Sequence, residues 1–216
     1  MSESHFSNEP HSTKILEQSS MNISDYMVAF SGQTRSYCVG IVDMVDSTNI
    51  SARLNVGKLS RYYQIFLNTM ANTIIKSGGE VIKNIGDSLL FFFPASSKGR
   101  KYGFMSCLEG CLNMIELHDH LCTCARNEGL PCINYRISCD YGAVVLMKSK
   151  ESAIDMIGPP LNMCTKINHF AQPNGIVIGG DLYEMVKKMD DYNFTSVKNY
   201  HSDQKFQYSI YAVTRR

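Results

Sequence analysis

Two β-rich runs in this chain, the first of them apolar, each lead to an aspartate, and that repetition restricts the fold more than any other feature. Tyr37 to Val42 leads into Asp43 and the turn Met44-Val45-Asp46-Ser47-Thr48, and Val81 to Ile85 leads into Gly86-Asp87, after which Ser88 to Phe93 runs on. A Gly-Asp pair between two β-rich runs predicts a tight hairpin. Both aspartates then stand at strand ends, where side chains reach a cleft. Taken singly, either one is ordinary turn chemistry. Two carboxylates converging from separate strands are hard ligands that suit Mg²⁺ or Mn²⁺, and a pair of such ions can clamp a phosphoryl transfer.

The rest of the chain alternates around these runs. Thr48 or Asn49 is placed to cap a long helix reaching Lys76, with Leu59, Tyr62, Tyr63, Phe66, Leu67, Met70, Ile74 and Ile75 inward, and Ser77-Gly78-Gly79 ends it. A second long helix is expected from about Gly99 to Arg126, followed by strands Ile133 to Cys139 and Ala143 to Met147 about an Asp140-Tyr141-Gly142 turn. Gly158 and Pro159 precede a helix with Leu161, Met163, Cys164 and Ile167. A strand at Gly175 to Ile178, a helix at Asp181 to Met189 and strands at Phe194 to Lys198 and Phe206 to Val213 complete the pattern. The order β, α, β, β, α, β predicts an α+β fold: a ferredoxin-like split βαβ core with a C-terminal extension, its antiparallel-rich sheet carrying helices on one face.

With 216 residues and 44% hydrophobic content, one good core can be buried. Residues 1–34 read as a leader, polar to Ser12 and weakly helical over Lys14 to Phe30, and residues 35–216 as the single domain. A net charge of +1 with no block of Lys or Arg argues against nucleic acid as a partner. The longest purely apolar stretch, Leu89 to Phe93, stops at Pro94, so no membrane span is expected. Eight cysteines without a secretory signal predict reduced thiols and a cytoplasmic location.

Several segments resemble the class III nucleotidyl cyclases. Asp43-Met44-Val45-Asp46-Ser47-Thr48 resembles that family's Asp-x-x-Gly-(Phe/Ser)-Thr opening, and Gly79 to Asp87 is similar to its central hairpin. Arg136 to Val145 is similar to its Gly-containing strand pair, and Asp155 to Lys166 resembles its Asp-x-x-Gly-x-x-Val-Asn-x-Ala-x-Arg segment. The resemblance runs from about Tyr37 to the C-terminus. It implies a catalytic domain in which Asp43 and Asp87 hold two divalent cations, Mg²⁺ or Mn²⁺, that organise a triphosphate and activate the ribose 3′-hydroxyl.

The same resemblance implies roles for other residues. Lys83 and Asp155 read the base: a lysine donates to an adenine ring nitrogen and an aspartate accepts from its exocyclic amine, so ATP is favoured over GTP. Backbone N–H groups around Val45, Asp46, Ser47 and Thr48 cradle phosphate oxygens. Asn162 orients the ribose, Lys166 stabilises charge on the phosphates, and Lys198 reaches the triphosphate. Two departures stand out: Lys166 occupies a position usually held by arginine and lacks its planar fork, and Asp46 stands where glycine is common. They keep open the alternative of a catalytically degenerate, nucleotide-binding regulatory module. The family's head-to-tail pairing implies a homodimer with composite sites. Regulatory input is not encoded recognisably, and a partner or a small molecule can supply it.

Other candidates are weaker. His118, His120, Cys122 and Cys124 look like a metal cluster, but Cys-x-Cys on a helix sends its thiols to different faces. Cys107 and Cys111 read as core residues on a helical stripe. Gly78-Gly79-Glu80 is similar to a diguanylate cyclase signature, yet here the glycines precede the first strand of the hairpin rather than forming its turn.

Overall fold

The period-2 alternation of the strands decides which face of the sheet holds the candidate site. The computed structural model describes residues 29–148, 154–202 and 206–216. In β1 (Ala29–Met44), Cys38, Val42 and Met44 enter the main core while Tyr37, Val39 and Ile41 enter a second one on the opposite face. Asp43 shares the parity of Tyr37, Val39 and Ile41 and belongs to that second face. In β3 (Ser88–Phe93), Leu89, Phe91 and Phe93 join the main core, leaving Ser88, Leu90 and Phe92 on the Asp43 side.

The α+β expectation holds. Eight strands form one sheet in the order β2-β3-β1-β4-β6-β8-β7, with β5 added to β4. Here β2 is Glu80–Ile85, β4 Tyr135–Lys148, β5 Ile154–Ile157, β6 Gly175–Gly179, β7 Tyr192–Ser202 and β8 Phe206–Arg215. The β4–β6 pair is parallel, and the other pairs are antiparallel. The expected hairpin forms, with Ile85 opposite Ser88 and Gly86 at φ 62°, a left-handed conformation that glycine adopts without steric penalty.

Five details depart from expectation. The first long helix is two helices: a short α1 (Ser47–Ser51) and α2 (Val56–Lys76), whose N-cap Asn55 accepts from Lys58 N at 2.9 Å, so neither Thr48 nor Asn49 caps the long helix. The second also divides, at Leu117, into α3 (Lys101–Glu116) and α4 (His118–Asn127). Asp140-Tyr141-Gly142 is no turn but the middle of the continuous strand β4. Residues 154–157 form a strand that the hydrophobic pattern did not announce. Helices cover both faces: Tyr62, Phe66, Met70 and Ile74 of α2 and six core residues of α3 fill the main core, whereas α5 (Pro159–Ile167) inserts Cys164 into the second. Each fully buried aromatic such as Phe66 or Phe91 contributes about 2–3 kcal/mol. The leader helix expected over Lys14 to Phe30 falls outside the described residues as far as residue 28, and Ala29 and Phe30 already belong to β1.

Asp140 explains why its segment stays extended. Its carboxylate is buried, accepting from Tyr208 Oη at 2.8 Å, Tyr141 N at 2.9 Å and Leu182 N at 3.3 Å, and a Cβ at Gly179 would stand 2.5 Å from its Cγ. Burial pushes this carboxyl up to about 6, against the hydrogen bonds that favour its ionised form. The folded chain therefore binds the proton more tightly than the unfolded one. The stability linked to Asp140 is full below about pH 4 and falls as pH rises through about 6, by on the order of 2–3 kcal/mol. Asp140→Asn removes this loss, so denaturant midpoints at pH 4.5 and pH 7 are expected to show the variant gaining on the parent chain at the higher pH.

Candidate active site

Asp43 and Asp87 meet at the turn end of the β1–β3 ladder. Asp43 lies opposite Ser88 on β3 and opposite Arg136 on β4, and Ser88 Oγ donates to Asp43 Oδ1. Asp87 adjoins Ser88 in the hairpin turn. Burial raises the Asp43 carboxyl above the ordinary carboxylate range, and the charge of Asp87 adds to that rise, while Ser88 and Arg136 oppose it. The charge of Asp87 disfavours ionisation of Asp43, and a cation between them would relieve it. This donor set, two carboxylates and a hydroxyl with no soft ligand, fits Mg²⁺ or Mn²⁺.

A cleft of about 160 Å³ opens beside Asp43, lined by Ile41, Ile85, Ser88, Leu90, Thr165 and Asn168. Asn168 holds its floor: the Nδ2 group donates to Ser138 Oγ at 3.2 Å and to Arg136 O at 3.4 Å, tying the end of α5 to β4. Arg136 Nε is buried without a hydrogen-bond partner among the described residues, on the face shared with Asp43. A larger cleft of about 530 Å³ on the helical face, between α2 and the α3–α4 junction, contains neither aspartate.

Lys83 and Asp155, 72 residues apart, are brought into direct contact: Lys83 Nζ lies 2.5 Å from Asp155 Oδ2. Both are partly exposed: Lys83 lies on β2, the edge of the sheet, and Asp155 on the short strand β5. A β-bulge between Val81 and Lys83 resets the register so that Lys83 meets β5. Ile85 and Ile157, nearby on the same two strands, are 54% and 46% exposed. Asn162 and Lys166 lie one turn apart and exposed on α5, but the α5 side of the Asp43 cleft is lined by Thr165 and Asn168 instead. Lys198 is a β7 residue opposite Ile210; its side chain is outside the described ones.

The turn over residues 45–48, expected to cradle phosphate, differs from the simplest expectation. Val45 N donates to Asn134 O at 2.8 Å, so its N–H is committed within the protein and is not available to a phosphate oxygen. Asp46 takes φ 62°, which accounts for glycine being common at this position and for an aspartate being tolerated. Its carboxylate accepts from Asn49 Nδ2, and it does not line the Asp43 cleft. Asp46→Gly relieves the left-handed strain and loses one exposed hydrogen bond, so stability should move by less than about 1 kcal/mol. Removing this charge is expected to lower the KM for a triphosphate by roughly threefold with kcat little changed, as steady-state kinetics can read.

Sequence reasoning missed Ser88, Arg136, Thr165 and Asn168. Ser88 and Arg136 are legible only once the register places them opposite Asp43. Cys107 and Cys111 are core residues as expected. The expectation of reduced thiols is corrected at Cys122 and Cys132, which the middle of α4 and the approach to β4 bring within a Cα separation of 4.5 Å and which form a disulfide. Cys122 and Cys124 do face apart, as Cys-x-Cys on a helix requires: Cys122 is buried beside His118, and Cys124 lies near His120.

Comparison with known proteins agrees with this architecture. Residues 31–214 match the family described as the adenylate and guanylate cyclase catalytic domain. Adenylate cyclases of Glutamicibacter nicotianae and Streptomyces coelicolor are 27% and 23% identical over 64% and 67% of this chain; the aligned part is 29% and 32% of their own length, so the chain spans about a third of these relatives. Among solved structures, the adenylyl cyclase CyaB from P. aeruginosa matches over 85% of this chain and 96% of its own, with a TM-score of 0.75 at 19% identity. The guanylyl cyclase Cya2 matches over 87% and 94%, with a TM-score of 0.76 at 19% identity. No described helix is long and apolar enough to cross a membrane.

Proposed function

The chain belongs to the adenylate and guanylate cyclase catalytic domain family, and from that premise we propose that it converts ATP to 3′,5′-cyclic AMP and pyrophosphate at a site shared between two copies. The observation that carries the choice of ATP is the Lys83–Asp155 contact. Adenine presents an acceptor nitrogen beside a donor amine, and a lysine touching an aspartate presents the matching donor and acceptor side by side. Guanine offers the opposite polarity and leaves both charges unpaired, a penalty of about 1–3 kcal/mol per group.

Asp43 and Asp87 hold the divalent cations, with Ser88 fixing the Asp43 carboxylate. When bound, such ions screen the triphosphate and lower the pKa of the attacking 3′-hydroxyl. Backbone N–H groups near Ser47 and Thr48 face the phosphates, Asn162 orients the ribose, Lys166 meets the charge developing on the phosphate oxygens, and Lys198 binds the triphosphate. Asn162 and Lys166 stand exposed outside the cleft of their own Asp43, as residues serving a second copy's cleft must. The half-exposed Ile85 and Ile157 are apolar surface that a second copy would cover.

The test is product analysis after incubating the purified protein with ATP or GTP and Mg²⁺ or Mn²⁺. Cyclic AMP as the main product is expected. Cyclic GMP would overturn the base assignment, and tight nucleotide binding without turnover would favour a regulatory module, the reading that Lys166 in place of arginine motivates.

A further inference from the structure

On the main-core side of the phosphate turn, a second chemically competent cluster lies apart from the aspartate cleft. His118 and Cys122 face one way from α4, four residues apart, and Cys132 approaches from the segment leading to β4. His118 Nε2 lies 3.4 Å from Cys122 Sγ and 3.7 Å from Cys132 Sγ. Cys122 is buried, whereas Cys132 and His118 are half-buried and reachable from solvent. The remaining cysteines contrast with this pair: Cys38, Cys107, Cys111, Cys139 and Cys164 are sealed in the core, and Cys124 faces away.

The cluster is wired to the phosphate turn through one residue. Asn134 Oδ1 only accepts, so His118 Nε2, 3.1 Å away, must carry the hydrogen and donate to it. Asn174 Nδ2 donates to the same oxygen at 2.8 Å. The backbone carbonyl of Asn134 accepts from Val45 N at 2.8 Å, between Asp43 and the left-handed Asp46. The imidazole hydrogen that steadies Asn134 therefore also faces two sulfurs.

We propose that Cys122 and Cys132 are a reversible thiol–disulfide modification site for low-molecular-weight thiols of the glutathione class, with His118 coupling its state to the Val45 turn. In the reducing direction a small thiolate attacks the more accessible Cys132 Sγ. The protein S–S bond breaks as the new S–S bond forms, and Cys122 leaves as a thiolate that accepts the Nε2 hydrogen of His118 in a hydrogen bond. A second small thiolate attacks the mixed disulfide, releasing the small-molecule disulfide and the Cys132 thiol. Two electrons pass to the protein and two small thiols become one disulfide. A leaving thiolate at Cys122 is a charged acceptor for the Nε2 hydrogen, and competes with Asn134 Oδ1 for it. Oxidation removes that competitor and leaves His118 on Asn134, so the turn beside Asp43 is held more firmly in the disulfide form.

The coupling to catalysis rests on the proposed cyclase reading; the exchange chemistry does not. The test is to equilibrate the full chain at graded ratios of reduced to oxidised glutathione, trap free thiols by alkylation under native conditions, and locate them by mass spectrometry. Cys132 is expected to become labelled as the Cys122–Cys132 disulfide peptide is lost in step, with the core cysteines unlabelled, and Cys122→Ser is expected to trap one glutathione on Cys132. His118→Ala should slow exchange by roughly tenfold, and amide exchange at Val45 should be roughly tenfold slower in the oxidised chain than in the reduced one. A pair that stays oxidised at every ratio that leaves the chain folded would make it a fixed structural disulfide. One equivalent of Zn²⁺ blocking exchange in the reduced chain would make the cluster a metal site. Equal Val45 protection in both forms would remove the coupling. Each of these overturns the proposal whether or not the chain makes a cyclic nucleotide.

Discussion

Asp87→Ala is expected to lower cyclic-nucleotide production by roughly 10³-fold, equivalent to about 4 kcal/mol of transition-state stabilisation, with the thermal midpoint almost unmoved. The separation of activity from stability follows from position. Asp87 stands on the two-residue turn between β2 and β3, where the left-handed residue is Gly86 and the ladder continues from Ile85–Ser88 inward. Asp43→Ala should lose as much activity but also destabilise the fold by about 1–2 kcal/mol, because it strips the Ser88 hydroxyl of its acceptor and removes the negative charge facing the buried Arg136. An Asp87→Ala chain as active as its parent would mean that the turn aspartate is only a turn residue.

The second large effect concerns the base. Lys83→Ala should reduce kcat/KM for ATP by roughly 100-fold and collapse the preference over GTP, because Asp155 then lacks the donor beside it. Little stability should be lost, since the pair is partly exposed and such ion pairs contribute at most about 1 kcal/mol. Competition assays with both nucleotides in one tube read the ratio directly. An unchanged ratio would assign Lys83 to the edge of the sheet, where a lysine serves only to discourage strand-to-strand association.

These two predictions draw on different amounts of sequence information. The hairpin that presents Asp87 was legible from local chemistry alone, since β-rich runs about Gly86-Asp87 leave few other conformations. The parity that puts Asp43, Ser88 and Arg136 on one face follows from strand periodicity only after the register is known, and register is a property of the whole sheet. Lys83 and Asp155 were paired by resemblance, not by pattern; nothing local signals a contact across 72 residues. Asp140-Tyr141-Gly142 has the composition of a turn, and it stays in a strand because Tyr208 and Leu182, distant in sequence, satisfy the buried carboxylate. The helix break at Leu117 has no glycine or proline to mark it, and the one at Ala52–Asn55 is signalled only by the capping side chain of Asn55. Asn134, which links the Val45 turn to His118, is an ordinary loop asparagine until the fold is seen.

Mixing two inactive variants tests the shared site most directly. On the proposed head-to-tail dimer, Asp43→Ala and Lys83→Ala damage different halves of one composite site, so a mixed dimer would rebuild one intact site from the undamaged half of each chain. At equal amounts with free exchange of subunits, activity should recover to about a quarter of the parent's, because half of the dimers are mixed and each of those has one good site of two. Recovery of that size is the predicted result. A mixture no more active than its components, with mixed dimers present in it, would contradict the account.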